Sequence, residues 1–596
     1  MCGIAGIFSK RIVREQNAIK EKCIRMSEQL VHRGPDDYGY YDDNDVVLSH
    51  RRLSIIDLSE NAKQPMSNEN DNIWIVFNGE FYNYEMFIGE LKQKGHIFKS
   101  SSDTEVILHL YEEYGLEKTL EKINGMFAFA LWDKRIKKLF IVRDRLGIKP
   151  LYFINGTDYF YFASEIKAFF PITDIKLDLY ELWDRLVFGS NIVGKTIYKD
   201  IFELKPGHYI TIDREKVNIT EYYSLRESFI EKKEKKINYE YLESLLHDSI
   251  KIRLIADVQV GTLNSGGLDS SLLSSMAKKY VSPPLYTFSV APEKRNGNIL
   301  PGDESFFAEL LAEHIGSKHK TIRYSQEEVI NNVSRYIYQN DDILFHSNAI
   351  PLSIMLKEIK HAHNVTVLLS GEGADEIFRG YYINKYIDLY LKFKKTRLIK
   401  DKLSEKFPLW FKKYLDNVVF PVYLVMGRSL FLHPDIVNSV LGIKGEISNE
   451  RLEFIQRNKV LDEVDQAILY EQSSYLIGLL QRVDRMSMMW GVEVRVPFLD
   501  HRLVEEVNKI EFKKKYNLLA GKEKRILKKI ARRYLPAEII KRRKYGFSTP
   551  LNSYKVNIRN LLEKEQRFQK ILKENTLDYG ELFLLLNTQL LLKGYA

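Results

Sequence analysis

The chain has 596 residues and a mass of 70.0 kDa, with 45% hydrophobic and 28% charged residues and a net charge of +9. That length excludes a single ordinary core and requires two or more domains. No uncharged apolar run reaches about 18 residues, which excludes a membrane span, and the two cysteines, Cys2 and Cys23, exclude a disulfide framework and point to a reducing cytoplasm.

In chain order, the opening MCGIAGIFSKR lacks the charged and apolar regions of a signal peptide. Removal of Met1 would leave Cys2 with a thiol and a free α-amine, which titrates at about 7.7–8.0 and can take the thiol proton without a separate histidine. The alternative is a small buried residue beginning a strand, as most free cysteines are. Arg52 follows at Arg51-Arg52-Leu53. Asn78-Gly79-Glu80 ends the apolar run Ile73 to Phe77, and Asp103 lies in Ser101-Ser102-Asp103. Alternation over 138–142 and 159–163 predicts strands. The charged stretch 232–236 is expected at a domain boundary, which places the domains at 2–205 and 230–596.

Helical spacing over 241–250 leads into an expected strand, 255–263, and then the loop Ser265-Gly266-Gly267-Leu268-Asp269-Ser270-Ser271 before a helix over 270–280. A strand, a glycine-rich turn and a helix make an anion site, because free N–H groups and the positive end of the dipole meet there. Gly266 and Gly267 are expected to let the backbone approach a phosphate. Asp269 is suited to holding a divalent cation on the phosphates, although a tight connection with a helix cap is the plainer reading. The spacing GxxxxGK[ST] is missing, which excludes the P-loop of kinases. Further strands are expected at 285–290 and 365–369, the second running into Ser370-Gly371-Glu372-Gly373-Ala374-Asp375-Glu376. Strands alternating with helices indicate a parallel sheet with ligands at its carboxyl edge, so both acidic turns should open on one side. Between Glu511 and Lys544 stand 14 Lys and Arg residues. They face a polyphosphate or solvent, and with no accompanying motif they do not indicate nucleic acid.

Cys2-Gly3-Ile4, His32-Arg33-Gly34-Pro35-Asp36, Asn78-Gly79-Glu80, Asn124-Gly125-Met126-Phe127 and Arg143-Asp144-Arg145 through Tyr152 together resemble the glutaminase domain of class II amidotransferases, an αββα N-terminal-nucleophile hydrolase. The resemblance implies Cys2 as nucleophile, Asn78 and Gly79 as an oxyanion hole, and Arg52, Asn78, Gly79, Glu80 and Asp103 as glutamine-binding groups. These roles suit a substrate carrying a carboxylate, an ammonium and an amide. SGGLDSS resembles the pyrophosphate loop of the ATP-pyrophosphatase (adenine nucleotide alpha hydrolase-like) superfamily. With the turn at 370–376, Arg482 to Met488, Glu493 to Asp500, Gly521 to Lys528 and Arg542 to Pro550, the second domain resembles the synthetase domain of glutamine-hydrolysing asparagine synthetases and of β-lactam synthetase, a parallel sheet with extra helices.

That resemblance implies ATP binding by Leu263, Ser265, Gly266, Gly267, Asp269, Ser270, Val290, Ser370 and Gly371. It also implies magnesium on Asp269 and Asp375, ammonia attack beside Glu372, and phosphate charge met by Lys524. The implied reaction is amidation of aspartate with glutamine and ATP, through an acyl-adenylate that ammonia reaches by an internal tunnel. A homodimer in the cytoplasm is expected, with small-molecule substrates and neither nucleic acid nor membrane as partner. Three departures bear on the acceptor: Asn264 before the loop, the segment 341–351 without Asp-Glu-Pro, and Arg379 where glycine is usual in the FGGY stretch. They leave open another acceptor, such as a uronic acid or a peptide or antibiotic precursor. A glutaminase with a nucleotide-sensing second domain is the other alternative. Residues 385–470 look helical and carry no readable motif.

Overall fold

Period-two alternation in the first third of the chain produces two six-stranded antiparallel sheets. The computed structural model describes residues 1–11, 16–190, 194–231, 236–293, 303–393, 422, 425–426, 432–519, 523–542 and 555–594. The first sheet is centred on the strands Gly3–Ser9 and Val46–Arg52, the second on Ile73–Phe81 and Gly125–Asp133. Ile4, Phe8 and Phe162 from one sheet pack against Val76, Trp132 and Ile141 from the other. Helix Gln16–Glu28 covers the outer face of the first sheet with Ile19, Cys23 and Met26, and helix Asp103–Lys122 covers the second with Val106, Ile107 and Leu110. The layers are αββα, as expected. Cys23 belongs to this core, and burial pushes its thiol up to about 12. The hairpin His208–Ile212 and Val217–Glu221 extends the second sheet past the expected boundary at 205. The stretch 232–235 lies outside the described residues.

The second half is built on five parallel strands in the order Lys318–Tyr324, Tyr286–Pro292, Val260–Leu263, Val367–Leu369, Glu493–Arg495. Strand order reverses between Val260–Leu263 and Val367–Leu369, the position at which open parallel sheets leave a crevice at their carboxyl edge. Loops 264–267 and 370–373 leave from these two neighbouring strands, so both acidic turns open together.

The expected strand 255–263 is shorter than the pattern indicates. Asp257 N–H instead donates to Ile55 O at 2.8 Å, and Arg495 takes the carbonyls of Arg253 and Ile255. Ile55 and Arg495 thus take backbone groups of 253–257, and sheet pairing begins at Gln259, whose carbonyl accepts from the Thr366 and Val367 N–H groups. Among the described residues of 385–470, helices lie at Asn384–Phe393, Pro434–Leu441, Asn449–Arg457 and Glu463–Tyr470, and the rest of that stretch is partly outside them. No helix of the described residues is long and apolar enough to cross a membrane.

Charged side chains join the halves. Arg33 pairs across the boundary with Asp484 at 2.7 Å and within its own half with Glu165 at 2.6 Å, Arg485 reaches Glu165 at 3.2 Å, and Asp500 accepts from Asn124 Nδ2 at 3.0 Å. Buried pairs of this kind are expensive to break singly, about 3–5 kcal/mol, because one charge is left without its partner.

Candidate active sites

Strand Gly3–Ser9 holds Cys2 at the edge of the sandwich, in a small cavity shared with Met1, Arg52, Gly79, Glu80 and Asp103. Cys2 N–H donates to Asn78 Oδ1 at 3.0 Å, while the buried Nδ2 of Asn78 has no hydrogen-bond partner. A buried amide N–H left without an acceptor is costly unless a ligand supplies one. A Cβ at Gly79 would stand 2.1 Å from Met126 O, so close passage of the neighbouring strand requires glycine there. Asp103 opens helix Asp103–Lys122 and accepts from Phe81 N–H at 2.8 Å; burial raises its carboxyl to about 6. Arg52 donates to the carbonyls of Ser59 (2.9 Å) and Asp57. Of the five residues expected around glutamine, Arg52, Gly79, Glu80 and Asp103 line this cavity, Asn78 adjoins it through Cys2, and Arg52 spends two donors on the chain itself.

Met1 occupies part of that cavity, and its α-ammonium pairs with Glu493 of the second domain at 3.1 Å. Arg495 bridges Glu493 (2.5 Å) to Glu80 (3.1 Å). Burial acts to raise Glu493, but the Met1 ammonium and Arg495 together hold it down at about 2, while burial and the nearby Glu493 push Glu80 up. Burial also pushes the Cys2 thiol up, with the Met1 ammonium opposing it.

A second cavity, of about 270 Å³, lies at the crevice of the parallel sheet. Leu263, Ser265, Gly267, Asp269, Ser270, Val290, Ser370, Gly371, Glu372, Asp375 and Lys524 all line it. Lys524 Nζ sits between Asp269 and Asp375 (2.5 Å to the latter), and their charges raise its pKa despite burial. Two carboxylates converging on one cation are a hard-oxygen set suited to a divalent ion such as magnesium. Ser265 and Ser270 hydroxyls bond each other at 3.0 Å, and Gly267 caps helix Leu268–Ala277. Glu372 pairs with Arg482 at 2.6 Å, and Arg482 also donates to Asn348 Oδ1 at 2.9 Å.

Several expectations are corrected here. Gly266 does not line the cavity. It turns away at φ 67°, where a Cβ would meet Phe307 at 2.5 Å, and its carbonyl accepts from Arg542 at 2.7 Å. Its glycine serves close packing on helix Ser305–Ile315, whereas Gly267 faces the crevice. Asn264 lines the cavity, and its amide is engaged with the chain, donating to Ala308 O (2.9 Å) and accepting from Gly266 N–H (3.0 Å). Arg379 adopts the left-handed φ of 64° that glycine favours, and is held by Glu471 at 2.5 Å and by Asn384. Asp341 and Asp342 pair with Lys167 and Arg185 of the first domain, not with the cavity. Of the basic cluster, Lys524, Lys528 and Arg542 line the cavity, while Gly521, Lys522 and 543–550 lie outside the described residues.

Sequence reasoning assigned no role to Arg482, Glu376 or Arg33. Burial and neighbouring Asp375 raise Glu376 to about 7, and Tyr381 bonds it. Helix Leu476–Met488 carries Arg482 to Glu372 at the crevice and, two residues on, Asp484 to Arg33, whose Nε donates to Cys2 O at 3.0 Å. One helix therefore lines the crevice through Arg482 and reaches the Cys2 backbone through Arg33. Arg482 and Asp484 stand in the quoted stretch Arg482 to Met488, which was the only signal for them.

A model of the glutamine amidotransferase domain matches residues 1–223, and a model of asparagine synthase matches residues 241–589. Glutamine-hydrolysing asparagine synthetase 1 of Bacillus subtilis is 33% identical over 98% of this chain and 93% of its own length. Glutamine-hydrolysing asparagine synthetase 3 of the same organism is 33% identical over 91% of this chain and 86% of its own. Asparagine synthetase B of Escherichia coli is 30% identical over 92% of this chain and 82% of its own.

Proposed function

The chain belongs to the glutamine-dependent asparagine synthase family, and from that premise we propose that this amidoligase converts L-aspartate to L-asparagine with glutamine as nitrogen source and ATP as activating substrate. The observation that carries the reading is the crevice where Asp269, Asp375 and Lys524 converge, linked through helix Leu476–Met488 and Arg33 to the Cys2 backbone.

In the first cavity, removal of Met1 would free the Cys2 α-amine beside Asn78 and vacate space for glutamine. The thiol gives its proton to that amine and attacks the side-chain amide. Asn78 Nδ2 and the Gly79 N–H then meet the developing oxyanion. Ammonia leaves, and water hydrolyses the thioester to glutamate. Arg52 takes the glutamine carboxylate, and Asp103 and Glu80 take its ammonium. Asp103 must be ionised for this, and its carboxyl stands at about 6. The expected result is that kcat/KM for glutamine falls as pH drops through about 6, where an ordinary aspartate would hold its charge to about 4. An Asp103→Asn variant should lose that inflection along with most of its glutamine affinity.

In the crevice, a carboxylate oxygen of the acceptor attacks the α-phosphorus of ATP and pyrophosphate leaves. Ser265, Gly267 and Ser270 hold the pyrophosphate, and Leu263, Val290, Ser370 and Gly371 the adenosine. Asp269 and Asp375 would hold magnesium, which would supply charge neutralisation at the phosphates, while Lys524 meets the charge that builds on the leaving group. Ammonia attacks the acyl carbon beside Glu372, and AMP departs. Keeping ammonia unprotonated calls for an enclosed route between the cavities.

A second acceptor is favoured by one observation: Asn348, within the segment that lacks Asp-Glu-Pro, reaches Arg482 beside Glu372. The test is pyrophosphate release across a panel of carboxylates with ammonia supplied directly. Aspartate-dependent release is expected. Release with a uronic acid or peptide carboxylate but not with aspartate would reassign the acceptor, and release with none would end the amidation reading.

A further inference from the structure

On the outer layer of the first domain, far along helix Asp103–Lys122 from Asp103, two histidines and two glutamates converge. We propose that Glu69, His96, His109 and Glu112 form a binding site for one divalent transition-metal ion of the zinc class. Their four ligand atoms lie within 4.8 Å of one another. His96 Nδ1 and His109 Nδ1 stand 3.2 and 3.5 Å from the same Glu69 oxygen, and His96 Nδ1 is 4.0 Å from Glu112. A tetrahedral ion with bonds of about 2.0–2.1 Å spaces its ligands by about 3.4 Å, so little movement closes the site.

Two independent features point to an ion and not only to a charge cluster. His109 is fully buried, and its ring nitrogens stand 3.5 and 3.7 Å from the Glu69 and Glu105 carboxylates, too far or too poorly aligned for a hydrogen bond. Buried imidazole nitrogens ordinarily find partners. The outer contacts also match those around metal ligands, where the distal nitrogen of each histidine faces a carboxylate. His96 Nε2 lies 3.3 Å from Glu113 and His109 Nε2 lies 3.7 Å from Glu105. Glu105 is itself held by the N–H groups of Lys99 and Ser100 at 2.7 Å. Glu69 accepts from Ile97 N–H at 2.9 Å, and Glu112 from Asn68 Nδ2 at 3.0 Å. Glu69, His96 and Glu112 are only half-buried, which leaves an ion a way in.

The ion would clamp the turn at 68–72, the segment after helix Glu85–Gln93, and the helix that begins at Asp103. It is a tie within the glutaminase half, separate from the magnesium set in the crevice.

The test uses the full chain, stripped of metal, saturated with magnesium and titrated with Co²⁺. One equivalent is expected to bind with the visible absorption of four-coordinate cobalt, and Zn²⁺ should displace it and raise the melting temperature. His96→Ala and Glu112→Gln should each lose the band and the thermal shift while keeping the native circular dichroism. A Cys2→Ser variant should keep both. No stoichiometric cobalt band, or a band unchanged in His96→Ala, or one lost in Cys2→Ser, would overturn the proposal.

Discussion

Replacing Cys2 by alanine should abolish synthesis with glutamine, by at least about three orders of magnitude, while synthesis with ammonia stays within about twofold of the parent. Removing a nucleophile leaves only what the remaining groups supply, and here those groups, Asn78 and Gly79, act only on a tetrahedral centre that never forms. The second cavity contains no atom of Cys2. The substitution also removes little volume, the Cys2 thiol makes a weak contact to Leu53 O at 3.9 Å, and the backbone bonds to Asn78 and Arg33 are retained, so the fold should be unaffected. Comparing asparagine formation from glutamine and from ammonium chloride, each with equal aspartate and ATP, checks this. Loss of both activities would place Cys2 in the fold and not in the chemistry.

Lys524→Met should have the converse effect. Pyrophosphate release is expected to fall by about 10²–10³, the usual cost of one preorganised charge at a transition state, and to fall equally with glutamine and with ammonia. Glutaminase turnover should persist. The side chain also separates Asp269 from Asp375, so its loss leaves two close carboxylates in a half-buried crevice. Their repulsion raises one of their pKa values and should increase the dependence of the variant on magnesium. Asp269→Ala should likewise abolish pyrophosphate release and spare glutaminase. Steady-state pyrophosphate and glutamate assays on the same preparations separate the two half-reactions. A Lys524→Met enzyme with normal pyrophosphate release would remove Lys524 from the proposed chemistry.

Much of this arrangement was legible in the chain because its signals are local. A buried strand followed by Ser265-Gly266-Gly267 or Ser370-Gly371-Glu372 carries its own turn chemistry, and parallel pairing places both turns on one edge. Alternation over 138–142 and 159–163 matches the strands Lys138–Arg143 and Tyr159–Ala163. The hidden features are long-range. Arg33 and Asp484 are 451 positions apart, and nothing local in either marks a pair. Gly266 and Gly267 are indistinguishable in sequence, and only the path of helix Ser305–Ile315 decides which one faces the crevice. Asp341 and Asp342 were read with the acceptor segment because they adjoin it, yet Lys167 and Arg185 draw them to the domain interface. Asn264 does line the crevice, but its two hydrogen bonds to Ala308 and Gly266 are not visible in the sequence. The extra hairpin beyond 205 follows from pairing of His208–Ile212 with Lys138–Arg143, a match that register decides and periodicity cannot.

The central claim is that the acceptor carboxylate is activated by adenylation. Aspartate labelled with ¹⁸O in its side-chain carboxylate, turned over with ATP and either nitrogen source, tests it most directly. One labelled oxygen should appear in AMP for each asparagine formed, and none in pyrophosphate. Label in pyrophosphate or in inorganic phosphate, or asparagine formed with unlabelled AMP, would contradict it.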